Sequence, residues 1–135
     1  MKEQLEIKHI KGYLGYGLKG MVEGWEKPVE LYGLLESDIR VDSPYGGFDY
    51  VDYDMFKPIL RGKSHLRTLE NEILIRWGGG LSDKAKTNWL KQVIDEMMYS
   101  AFNSLRYDFG EFMLENHIDV FGLIDKNLAV DINKL

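Results

Sequence analysis

Apolar positions recur every three to four residues across residues 82–105: Ala85, Trp89 and Leu90, Val93 and Ile94, Met97 and Met98, Ala101 and Phe102, then Leu105. That spacing is one face of an amphipathic helix. Lys84, Lys86, Lys91, Gln92, Asp95, Glu96 and Asn103 fall mostly on the opposite side. Ser82 or Asp83 is placed to cap the first turn, where a side-chain oxygen satisfies an orphan N–H. A shorter helix is predicted over residues 3–14, with Leu5, Ile7, Ile10 and Leu14 on one broad face and Gly12 and Gly15 weakening its end.

From Tyr16 the period changes to two. Leu18 and Val22 alternate with Lys19, Met21 and Glu23, residues 24–28 (GWEKP) form a turn, and Val29, Leu31, Gly33 and Leu35 alternate in their own right. This predicts a β-hairpin over roughly residues 17–36 with a five-residue connection. Residues 39–41 predict a short third strand, and Ser43-Pro44-Tyr45-Gly46-Gly47 a turn. Residues 48–54 (FDYVDYD) fit a solvated loop or an edge strand, whose charges discourage sheet-to-sheet pairing. Residues 55–61 are a further strand, which Pro58 would confine to an edge or a strand start.

Residues 64–77 suit both periods: Leu66, Leu69, Ile73 and Trp77 fit a helix, while Ile73, Ile75 and Trp77 fit a strand. Gly78-Gly79-Gly80 ends either. Asp108 is placed to cap another helix carrying Phe109, Phe112, Met113 and His117 on one face, with Gly122 as its left-handed stop. Residues 123–135 hold Leu123, Ile124, Leu128, Val130 and Ile132, too apolar for a free tail, and are expected to dock on the core. The resulting class is α+β: a small antiparallel meander of three to four strands in the N-terminal half, packed against two or three C-terminal helices, with a short N-terminal helix. One domain is expected over residues 1–135, sheet-rich at 16–61, helix-rich at 82–122 and ending in the docked tail.

Composition narrows the chemistry. The 135 residues suffice for one core, and 44% hydrophobic with 29% charged content is that of an ordinary globular protein. There is no apolar run long enough to span a membrane and no apolar signal core near the N-terminus, so a cytoplasmic protein is expected. The absence of cysteine excludes disulfides, thiol catalysis and thiolate metal sites. A net charge of −5 weighs against a dedicated nucleic-acid binder.

Three phrases, HIKGYLGYGLK (9–19), YDMFKPILR (53–61) and NHIDVFGLIDKNLAVDIN (116–133), resemble small proteins encoded by phages and prophages of gut bacteria. Those relatives usually continue the ILR phrase with Pro-Leu-Ser-Asp-Leu, where this chain has Gly62-Lys63-Ser64-His65-Leu66. The family has no established activity. The resemblance therefore implies a bacterial cytoplasm during infection or lysogeny, and no site residues.

Local motifs add little catalytic promise. Gly15-Tyr16-Gly17-Leu18-Lys19-Gly20 matches GxGxxG, but a dinucleotide site needs a helix to follow, and here the pattern is strand-like. Gly62-Lys63-Ser64 matches the tail of a phosphate loop, yet Lys57 stands where the first glycine belongs. The bland alternative is a turn ending a strand, with Ser64 as a cap. Asp49, Asp52 and Asp54, with Asp38 and Asp42, offer oxygens to a hard cation without the spacing of a calcium loop, and a solvated acidic loop explains them better. His9, His65 and His117 share no ligand spacing and read as packed residues with one hydrogen bond each. No cofactor, metal site or catalytic constellation follows.

Tyr13, Tyr16, Trp25, Tyr32, Tyr45, Phe48, Tyr50 and Tyr53 crowd the N-terminal half, beside few basic residues. Large aromatics at loop tips escape burial by their own fold. Trp25, Tyr45, Phe48 and Tyr50 are accordingly the expected contact residues of a non-catalytic protein-interaction module, whose partner is a host or phage protein or a second copy. The alternative is a nucleic-acid accessory stacking bases on the same aromatics.

Overall fold

The computed structural model describes residues 4–135. Its sheet contains β1 (Lys19–Val22), β2 (Val29–Leu34), β3 (Asp38–Asp42), β4 (Phe48–Asp52), β5 (Phe56–Leu60) and β6 (Val130–Asp131), in spatial order β4-β3-β2-β1-β5-β6. The α+β class holds, with more strands than the alternation alone predicts. β1 to β4 form the meander, β5 folds back antiparallel on β1, and β6 joins β5 in parallel.

Alternation explains most of what goes inside, except at the end of β5, where Pro58, Ile59 and Leu60 are buried in succession between β1 and β6. Leu18, Gly20, Val22, Val29, Leu31, Ile39, Val41, Val51, Phe56 and Leu60 are buried, and the large ones belong to one cluster shared with the helices. Gly20 is required where it stands: a Cβ there would lie 2.2 Å from the Phe56 ring and 2.9 Å from the Lys57 carbonyl. The ring of Phe56 covers the space that a side chain would occupy.

Pro58 lies inside β5, between two neighbours, rather than at an edge or a start. The exception has a geometric cause. The Glu23 N–H donates to the Met55 carbonyl at 2.9 Å. Hydrogen-bonded pairs alternate along an antiparallel ladder, so they fall at 23/55 and 21/57, and the nitrogen of Pro58 faces away from β1. On that other side β6 begins only opposite Ile59, so no ladder bond is forfeited.

The N-terminal helix is short. α1 (Ile7–Ile10) runs into a 3-10 turn over Lys11–Tyr13. Tyr13 is buried and Leu14 is exposed, the reverse of the expected face, because the tighter turn advances the inward position by one residue. Residues 64–77 resolve as a 3-10 segment, Lys63–Leu69, followed by α2 (Glu70–Trp77). Burial decides the ambiguity: Leu66, Leu69 and Ile73 are buried, whereas Ile75 is 82% exposed, which strand alternation would not allow. Gly62, not Ser64, occupies the cap position of that segment.

α3 (Asp83–Tyr99) is capped as expected, with the Ser82 hydroxyl accepting from the Ala85 N–H at 3.2 Å. It buries Val93, Ile94 and Met97. The helix stops at Tyr99 instead of running to 105. Ser100 turns extended, and Phe102 is drawn off the helical path to pack edge-on to Phe121, 5.4 Å between centroids. A side chain at Gly110 would strike the Phe102 ring at 3.0 Å.

α4 (Tyr107–Glu115) begins without a side-chain cap at Arg106. Asp108 instead accepts from the Trp77 indole N–H at 3.1 Å and from Arg106 at 2.8 Å, tying α2 to α4. Trp77 meets Phe109 and Phe112 edge-on. The stop is at His117, not Gly122. The His117 N–H donates to Leu114 (3.1 Å) and the Ile118 N–H to Met113 (2.9 Å), a Schellman closure with histidine in the left-handed position at φ 57°. The cost of that conformation is offset locally, because His117 Nε2 bonds the Tyr16 carbonyl at 2.7 Å and the His117 carbonyl accepts from the Arg61 N–H at 2.8 Å.

The tail docks. Leu123 and Ala129 are buried, and β6 adds to the sheet. The hydroxyl of Tyr13 donates to the Ile118 carbonyl and accepts from the Val120 N–H at 3.2 Å. Asp119, the one buried charged residue among those described, receives the N–H groups of Leu123 (2.7 Å) and Ile124 (2.9 Å). Residues of the phrases at 9–19, 53–61 and 116–133 thus meet around one junction: Tyr13 and Tyr16, Arg61, and His117 to Val120.

Candidate interaction surface

The half-sheet β2-β3-β4 has one buried and one open face. Arg40 sits opposite Tyr50, Asp42 opposite Phe48 and Asp38 opposite Asp52, and all six point away from the buried Ile39, Val41 and Val51. The register between β2 and β3 shifts between Leu31 and Gly33, so Tyr32 and Gly33 face Arg40 together as a bulge. This places the Tyr32 ring 5.0 Å from Phe48 and edge-on to it. The Arg40 guanidinium lies 4.2 Å above the Phe48 ring.

The rings are open to solvent: Tyr50 is 57% exposed, Phe48 53% and Tyr32 50%. Tyr45, in the β3-β4 turn, reaches 88%. The Tyr32 phenol titrates above its ordinary range, chiefly because Glu30 carries negative charge beside it, with some desolvation and a contribution from Asp42. Tyr53 is also raised, by desolvation first and then by Asp38, and its hydroxyl donates to the Leu35 carbonyl at 2.8 Å.

The four expected contact residues divide into two pairs. Phe48 and Tyr50 share the open face. Trp25 and Tyr45 line a notch of about 340 Å³ at one end of the sheet, with Gly24, Glu26, Lys27 and Pro44. Trp25 is half-buried and packs on the core cluster, so it is less free than its turn position suggests. Tyr32 and Arg40 complete the open face. Their signal was present in the sequence, as polar-side positions of β2 and β3, but the bulge that turns Tyr32 onto Phe48 leaves no mark in the alternation.

β4 forms the sheet edge, and its exposed backbone is partly blocked. The Tyr50 N–H is taken by the Asp49 carboxylate at 3.0 Å. Inside the sheet, Asp42 of β3 accepts the Glu30 N–H of β2 at 2.6 Å. Among the described residues no group of three or more histidine, aspartate or glutamate side chains is placed to hold a metal ion.

The remaining motifs have structural explanations. Gly15 and Gly17 take positive φ (94° and 69°) in the turn entering β1, and Gly20 lies within β1, so no helix follows the GxGxxG pattern. Lys63 donates to the Met98 carbonyl at 3.2 Å. His9 Nδ1 accepts the Glu6 N–H at 3.0 Å, and His65 bonds Thr68. A second, open cleft of about 780 Å³ lies at the tail junction, lined by Lys63, Phe102, Asp119, Phe121, Asp125 and Asp131 among others. Both Asp119 oxygens are already bonded to backbone N–H groups there. No helix among the described residues is long and apolar enough to cross a membrane. No protein-family model, curated protein or solved structure matches this chain.

Proposed function

We propose that this chain is a non-catalytic interaction module that docks on another polypeptide, of host or phage origin or a second copy of itself, through the open face of β2-β3-β4. The observation that carries the reading is the concentration of half-exposed or more exposed rings, Tyr32, Phe48 and Tyr50, on one face of a single half-sheet. Aromatic side chains supply large contact area at low entropic cost and are enriched at binding hot spots. The likeness of its three phrases to phage and prophage proteins supports a bacterial cytoplasm as the setting. The test is affinity capture from nuclease-treated bacterial lysate with the wild-type protein and with Phe48→Ala/Tyr50→Ala. A stoichiometric protein retained by the first and lost by the second supports the reading. A partner retained equally by both refutes the assignment of this face.

A further inference from the structure

We infer that the occupant of the open face is a cationic polypeptide segment, rich in lysine or arginine, laid across the rings rather than added as a strand. This rests on the reading of the face as an interaction surface and specifies its partner. Charge complementarity carries it. Residues 29–54 hold seven carboxylates (Glu30, Glu36, Asp38, Asp42, Asp49, Asp52 and Asp54) against Arg40 alone, a net of −6, while the whole chain carries −5. The rest of the molecule is therefore close to neutral, and three of those carboxylates, Asp38, Asp42 and Asp52, stand on the open face with Phe48 and Tyr50, against Arg40 alone.

Two details sharpen the choice. Asp38 and Asp52 face each other directly across β3 and β4, and neither belongs to an ion pair among the described residues. Like charges at that position destabilise a sheet, and an incoming cation would relieve them. Arg40 over Phe48 already shows the mode of contact, a guanidinium on a ring, and the exposed Tyr50 offers a second ring for a partner's cation. Strand addition at β4 is disfavoured because Asp49 occupies the outward N–H of Tyr50. A nucleic-acid strand would meet the same negative field and be repelled.

The test is selection of random linear peptides, displayed on yeast, against the folded wild-type protein, followed by affinity measurements on synthetic copies. Enriched peptides should carry net positive charge. Their affinity should fall at least about tenfold for Phe48→Ala/Tyr50→Ala, as for removal of a hot spot. It should fall about fivefold for Asp38→Asn/Asp52→Asn, and decline further as salt is raised. The aspartate variant should also melt about 1–3 °C higher than wild type, since it removes a cross-strand repulsion. Enrichment of neutral or acidic peptides that are still lost on the aromatic variant would overturn the cationic occupant and leave the interaction face standing. Basic peptides that bind the aromatic variant as tightly as wild type would overturn both. No enrichment, or salt-sensitive binding of a single-stranded oligonucleotide that needs Phe48 and Tyr50, would also overturn the inference.

Discussion

Replacing Tyr13 by phenylalanine removes one oxygen and tests how the tail is held. The side chain is fully buried, and its hydroxyl serves two backbone groups more than a hundred residues away, the Ile118 carbonyl and the Val120 N–H. Both of those residues are themselves buried. The variant keeps the ring and its packing, so the loss is polar. Leaving a buried donor and acceptor without their partner costs about 2–3 kcal/mol. Unfolding entropy is about 2.1 cal/mol/K per residue, so in a chain of this size each 0.3 kcal/mol shifts the midpoint by about 1 °C. The expected fall in Tm is about 7–10 °C, read by calorimetry or circular dichroism, with faster amide exchange at residues 118–124. A shift under about 2 °C with unchanged exchange would refute the account of the hydroxyl as the clasp of the tail.

The same phenol links stability to pH: burial first, and the nearby Asp119 charge in addition, hold it above the ordinary value of 10.0, against the opposing Val120 hydrogen bond. The native state thus keeps a proton that the unfolded chain releases near pH 10, so stability is intact below that pH and declines above it, a slope that Tyr13→Phe should flatten in alkaline melts. Gly20→Ala should destabilise by about 1–3 kcal/mol through the clash with Phe56, measured by urea unfolding, and Phe56→Leu should recover part of the loss. Asp119→Asn should cost about 1.5–3 kcal/mol by weakening two charge-assisted bonds to the tail, with the exchange of Leu123 and Ile124 amides as readout. Trp25→Ala should cost about 1–2 kcal/mol, less than a fully buried tryptophan and more than a free loop tip, judged from the denaturation midpoint.

Local chemistry made much of this fold legible. The period-two run and its turns located β1 to β3, and the charges of the FDYVDYD stretch left it as a solvated loop or an edge strand, which the structure resolves as edge strand β4 with Val51 buried. The capped start of α3 was visible in Ser82. What escaped was long-range. β6 is two residues long and exists only because β5 lies beside it, and the internal place of Pro58 depends on where that pairing begins. His117 carries no turn signal; its left-handed conformation is fixed by the Tyr16 and Arg61 backbones, which are remote in the chain. The site was legible in part for a similar reason. Phe48 and Tyr50 follow from alternation in β4, whereas Tyr32 joins them through a bulge and Trp25 is drawn inward by packing.

The clasp between Tyr13 and residues 118–120 also dictates an order of events. During synthesis the N-terminal helix, the meander and β5 all emerge before the groups that Tyr13 must bond. Contacts of such sequence separation contribute nothing until the intervening loop is closed, so their cost falls early and their gain late. Until then Tyr13, Leu60 and the unpaired side of β5 stand open, an edge and an apolar patch that other chains can reach. Completion of this domain is therefore gated by arrival of the 118–131 segment, and its window of aggregation risk closes when that segment docks.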